Sequence, residues 1–184
     1  MKQTFKIFKT AVAAVVAVVA CSCGGGQKAP VVSERPLAEA PAFNADSAMC
    51  FIVEQCAFGP RVPGSDAHKA CAEYIKQRFA QYGLQVTQQT FDAVAWNGDR
   101  LPLCNIIASL NPEAEARILV SAHWDSRPWA DNDPDASNHH TPVMAANDGA
   151  SGVAVMIELA RTLSEMQDFA YGVDFVCFDG EDYG

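Results

Sequence analysis

Apolar residues recur at helical spacing from Asp46 to Phe58, where Met49, Ile52, Val53 and Cys56 fall on one stripe. Asp46 or Ser47 is placed to cap that helix. The loop "FGPRVPGS" follows, broken by proline and glycine and carrying Arg61. Ser65 then stands as the N-cap of a second helix, "DAHKACAEYIKQRFAQYG". Ala67, Cys71, Tyr74, Ile75, Phe79 and Tyr82 line one face of it, and Gly83 is its C-terminal stop. Beyond Gly83 the period changes to two. "LQVTQQTFDAVAW" alternates as a strand, Asn97 to Asp99 is a turn, and "LCNIIASL" is the return strand of an antiparallel pair.

The second half has a different pattern. Arg117 to Ala122 ("RILVSA") is short and continuously apolar, which predicts a strand buried in a parallel sheet. A long polar stretch leads to a helical pattern from Gly149 to Met166, and Val173 to Phe178 is a second buried strand. Strand, helix and strand at this spacing form a βαβ unit with a right-handed crossover. The fold class is therefore α/β.

Composition adds one exclusion and a compartment. Of 184 residues, 49% are hydrophobic, enough for a packed core. The net charge of -9 excludes nucleic acid as a natural partner, since no Lys/Arg patch is present for phosphates. Residues 1–20 read as a signal peptide: Lys2, Lys6 and Lys9 precede an Ala/Val run that ends in "VVAC". That ending resembles a bacterial lipoprotein signal, with Cys21 as the acylated mature N-terminus. Plain secretion with nearby cleavage is the alternative, and Cys23 is a second lipidation candidate. Residues 21–44 then form a flexible lipidated tether, and 45–184 the folded domain. The expected localisation is a membrane-anchored lipoprotein facing the periplasm or cell surface. Cys50, Cys71 and Cys177 sit in apolar patterns, so buried free thiols are expected rather than a disulfide.

Ligands of α/β sheets bind beyond the carboxyl ends of the strands. After the first buried strand stand His123 and Asp125, and after the second Asp179, Glu181 and Asp182. Asp148 lies between them, at the start of the helix in "AANDGASG". Taken singly, Asp148 is a candidate helix cap, His123 a structural histidine, and the acids solvated loop residues. Together, three segments bring imidazole and carboxylates to one sheet edge, a donor set that suits zinc or a similar divalent ion. Trp124 and Trp129 are candidate pocket walls or core residues. Asp131, Asp133 and Asp135 have calcium-loop spacing, but Ala136 replaces the required glycine and Pro142 the bidentate glutamate.

"FGPRVPGSDAHKACAEYI", "ILVSAHWDSRPWADNDPD", "AANDGASGVAVMIELAR" and "VDFVCFDGEDYG" together resemble the zinc-exopeptidase-like superfamily. Within it they resemble bacterial members of the animal-type glutaminyl-peptide cyclotransferases. The resemblance implies a three-layer sandwich around a mixed, mostly parallel sheet, of which this chain is the N-terminal half or so, truncated at its C-terminus. It also implies one zinc per complete site, with Asp148 and Asp182 as ligands and Glu181 as the general acid/base. Asp182 departs from the glutamate usual in the superfamily and is one methylene shorter. His123 is implied to lie near the metal without binding it, and Asp125 to orient its neighbours.

The implied reaction cyclises N-terminal glutamine of peptides or proteins to pyroglutamate with release of ammonia. Two alternatives share these residues. One is a dinuclear zinc aminopeptidase. The other is an inactive lipoprotein fragment, since a third zinc ligand, a histidine, is expected beyond Asp182.

Overall fold

The computed structural model describes residues 40–183. The expected signal peptide, Cys21 and the tether up to residue 39 lie outside them. The alternating stretch forms the hairpin it predicts: β1 (Gln85–Val94) pairs antiparallel with β2 (Arg100–Leu110), Gln85 facing Ser109 and Val94 facing Arg100. β3 (Arg117–His123) runs parallel to β4 (Gly172–Phe178), joined through the helix α3 (Gly152–Ser164). β4 also pairs antiparallel with β2, which gives the strand order β1-β2-β4-β3. The sheet is mixed, with the parallel βαβ unit at one side and the hairpin at the other.

The helices α1 (Ala45–Ala57) and α2 (Asp66–Gln81) pack with α3 on one face of the sheet. Phe51, Ile75, Phe79, Ile106, Val153, Ile157 and Phe175 form the centre of the core. On the opposite face Leu119 and Phe178 are exposed. The described residues thus build the sheet and one helical layer of the expected three-layer sandwich.

Three local expectations need correction. In α1 the cap is Asn44, whose side chain accepts the Ser47 amide at 3.0 Å, not Asp46 or Ser47. Its buried stripe is Ala48, Phe51 and Gln55, while Met49 and Val53 are 59% and 61% exposed. The helix is rotated from the apolar stripe because the Gln55 amide is buried with partners, donating to Phe51 O and Ala150 O at 3.0 Å each. Cys50 is correspondingly exposed, whereas Cys71 and Cys177 are buried; all three are free thiols. Among the described residues β3 has β4 as its one neighbour, and Ile118 and Leu119 are 47% and 65% exposed. An apolar run fixes strand type, but burial depends on which neighbours flank it.

α2 follows its signals closely. Ser65 Oγ accepts the His68 amide at 3.1 Å, and Gly83 ends the helix at φ 80°.

Candidate active site

Parallel pairing sets β3 and β4 in register, so His123 lies opposite Phe178 and both strands end at the same edge. The Trp124 amide donates to Phe178 O at 3.0 Å and extends the ladder by one step. The residues after each strand therefore leave the sheet side by side. α3 begins at the same edge, and Gly152 permits its approach, since a Cβ there would lie 2.7 Å from Ala122 Cβ.

The segment before α3, Ala146–Ser151, is a kinked turn rather than the first turn of the helix. Asp148 has extended dihedrals (φ -83°, ψ 106°), and Gly149 follows at φ 102°. A Cβ at Gly149 would stand 2.9 Å from Asp125 O and 3.3 Å from His123 Cε1. Glycine is thus required twice over, by its dihedrals and by the close approach. Asp148 is consequently not the cap of α3; its side chain is 78% exposed and turned toward His123.

The three predicted segments do converge. His123 Nε2 lies 2.9 Å from Asp148 Oδ1, and its Nδ1 lies 3.5 Å from Asp125 Oδ1 and 3.9 Å from Glu181 Oε2. The Nδ1 atom is buried without a full hydrogen bond. The Asp125 carboxylate above all, and then Asp148 and Glu181, hold the imidazolium form and push the His123 pKa up to about 9 against the opposing effect of burial. Asp125 is itself fully buried, and its two oxygens accept the amides of Glu181 (3.2 Å) and Asp182 (3.1 Å). One carboxylate thereby anchors the single turn Glu181–Tyr183.

The paired acids then diverge. Glu181 projects outward with its side chain 64% exposed. Asp182 points inward at 16% exposure, and its Oδ2 accepts the Arg127 amide at 3.0 Å. Burial, followed by the nearby Asp148 and Asp125 carboxylates, pushes the Asp182 carboxyl above its ordinary range. Repulsion of that kind marks a place where a cation would be stabilised.

Other candidates take structural places. Trp124 has no exposed surface; it stacks on His68 at 4.3 Å, and its indole N–H donates to Cys104 O. It is core and does not wall a pocket. Trp129 packs edge-on against Tyr183 at 5.2 Å, beside Leu101 and Leu103. Asp179 turns away from the site and accepts from His68 Nε2 and the Cys104 amide. Sequence reasoning missed Arg127 and His68, although Arg127 stands two residues past Asp125 in the same loop. A cleft of about 530 Å3 lies between α2 and the hairpin, and none of His123, Asp125, Asp148, Glu181 or Asp182 lines it.

Among the described residues no group of three or more His, Cys, Asp or Glu is gathered tightly enough to hold a metal alone. Asp148 and Asp182 nevertheless fit a zinc ion in part. They are hard oxygen donors brought to one place, with Asp182 raised in pKa by burial and then by its carboxylate neighbours.

Residues 105–184 match peptidase family M28. A glutaminyl cyclase from Bacteroides thetaiotaomicron, solved with N-acetylhistamine bound, is 47% identical with a TM-score of 0.77, over 79% of this chain and 50% of its own. A Zn-dependent exopeptidase from Parabacteroides distasonis is 46% identical with a TM-score of 0.77, again over 79% and 50%. A glutaminyl-peptide cyclotransferase from Drosophila melanogaster is 30% identical over 127 residues, 67% of this chain and 33% of that protein. The chain thus spans about half the length of these solved relatives and a third of the curated one. Its mixed sheet with flanking helices is the zinc exopeptidase-like fold expected from the motifs.

Proposed function

We propose that this chain carries the base and two zinc ligands of a glutaminyl-peptide cyclotransferase acting on N-terminal glutamine. The observation that supports it most is the divergence of the paired acids over Asp125. A single carboxylate holds both amides, so Glu181 faces outward as a proton carrier while Asp182 faces inward with Asp148 as a ligand. The likeness to a bacterial glutaminyl cyclase at 47% identity weighs the same way.

In this reading Asp148 and Asp182 hold one zinc, which when bound supplies Lewis acidity at the glutamine side-chain carbonyl. Glu181 takes a proton from the substrate's α-amino nitrogen as that nitrogen attacks the amide carbon. A C–N bond forms and the ring closes. Glu181 then returns the proton to the amide nitrogen, the old C–N bond breaks, and ammonia leaves. His123 stays beside Asp148 and fixes its orientation.

A dinuclear aminopeptidase is the second reading, favoured by the Zn-dependent exopeptidase neighbour and by the contact of His123 with Asp148. Incubation of a Gln-peptide with the zinc-loaded protein separates the two. Ammonia and a peptide about 17 Da lighter are expected for cyclisation, with one zinc per site; release of free glutamine with two metals bound would rule it out.

We infer further that residues 1–20 are a signal peptide, Cys21 the acylated N-terminus and residues 21–44 a tether to a membrane, with the protein facing the periplasm or cell surface. Motif order is its support: basic n-region, apolar run, then "VVAC". Cys21→Ala is expected to move the protein from the membrane to the soluble fraction of the producing cells; unchanged fractionation would remove the anchor from the account.

A further inference from the structure

Arg61 has no exposed surface, yet all four of its side-chain hydrogen bonds go to main-chain carbonyls. Nε donates to Trp124 O at 3.1 Å, Nη1 to Met144 O at 3.0 Å and Gly59 O at 3.5 Å, and Nη2 to Ala145 O at 2.8 Å. A buried guanidinium held by carbonyls alone is costly to desolvate, so its retention in a core points to a local task.

The carbonyls it selects are informative. Trp124 lies between His123 and Asp125, whereas Met144 and Ala145 lead directly into the turn that carries Asp148. Ala145 itself is left-handed (φ 53°, ψ 47°), a conformation that alanine rarely adopts. Its carbonyl accepts from both Arg61 and the Ala150 amide, closing the turn at its base. The main chain of Arg61 adds a second tie to the first loop, since its carbonyl accepts the Ser126 amide at 3.2 Å. One rigid planar fork therefore spans the two loops that carry His123, Asp125 and Asp148.

We propose that Arg61 is a positioning residue that sets the spacing between the His123–Asp125 loop and the Asp148 turn by bridging their carbonyls. Its consequence for zinc rests on the function proposed above; its consequence for the two loops does not. A lysine at this place keeps a buried charge but has no planar fork to reach Trp124 and Ala145 together.

The test is local amide exchange on the full chain, followed by mass spectrometry, for Arg61→Ala and Arg61→Lys. In both variants the amides of Ser126 and Ala150 are expected to exchange about ten- to thirtyfold faster, while the paired amides of β2 and β4 keep their wild-type rates. Free guanidinium ion at low concentration is expected to restore protection in Arg61→Ala and not in Arg61→Lys. Zinc affinity, read by chelator competition, is expected to fall in both. Wild-type local exchange in Arg61→Lys, an equal rise throughout the sheet, or failure of both variants to fold would overturn the positioning role in favour of a general packing role. Faster local exchange without measurable zinc binding in any chain would leave the positioning role standing and count against the cyclotransferase reading.

Discussion

Glu181→Gln is expected to lower turnover of an N-terminal glutamine peptide by about 10²- to 10⁴-fold, with KM changed far less. The glutamine amide has nearly the shape of the carboxylate but cannot take a proton from the attacking amine. Its backbone amide remains free to donate to Asp125, so the turn that holds Asp182 is unaffected. Zinc content is therefore expected to match wild type, which separates loss of the base from loss of the metal. Glu181→Asp is expected to fall between the two, because the shorter side chain keeps the chemistry and loses reach. Turnover within a factor of about three in Glu181→Gln would remove Glu181 from the acid/base role, since ordinary general-base contributions are far larger.

The electrostatics of the site support that separation of roles. Asp125, Asp148 and Asp182 crowd around His123, and burial adds to the cost of charge on Asp182. His123 offsets the crowding by holding its proton up to a pKa of about 9. A divalent ion between Asp148 and Asp182 would take over that task and lower the charge that His123 must carry. Glu181, its side chain 64% exposed and its carboxylate 3.9 Å from His123 Nδ1, is the acid least committed to either arrangement.

Much of this was legible in the sequence because it is local or set by strand ends. Period two between Leu84 and Trp96 yields β1, and the apolar runs before His123 and Asp179 yield the parallel pair whose shared edge gathers the site. What the sequence did not disclose depends on distant partners. Gln55 is polar and falls outside the apolar stripe of α1, yet its side-chain N–H donates to Ala150 O, 95 residues away. Trp124 reads equally as a pocket wall or as core from its place between two site residues, and alternation along an extended chain turns it into the core against His68. β3 reads as buried from its composition, and among the described residues β4 is its one neighbour, so one of its sides is uncovered there. Arg61 is the hardest case, since a charged residue in a Pro/Gly loop gives no sign of burial until the carbonyls it joins are known.

Asp179→Ala is expected to cost about 3–5 kcal/mol of folding stability, read from the urea midpoint, because it breaks a buried pair at one end. The Asp179 side chain has no exposed surface, and its Oδ2 accepts from both His68 Nε2 at 2.8 Å and the Cys104 amide at 2.6 Å. The Gly64 amide donates to His68 Nδ1 at 3.4 Å, so the proton of a neutral ring sits on Nε2 and points at Asp179. Removing the carboxylate leaves two donors facing each other across a void in the core, each losing water and gaining nothing. Asp179→Asn is expected to fare little better, because one half of its amide would present a third donor there. His68→Phe keeps the stacking on Trp124 and loses the ring N–H, so its cost should be smaller than that of Asp179→Ala. The pair His68→Phe with Asp179→Ala is expected to cost less than the sum of the two, since each change removes a partner the other leaves stranded. Full additivity would mean that the His68–Asp179 contact is not what the core depends on. The effect also reaches the chemistry, because Asp179 begins the turn that carries Glu181 and Asp182. Loss of turnover in Asp179→Ala should then appear at temperatures well below its midpoint, where the sheet is still folded and only the start of that turn has come loose.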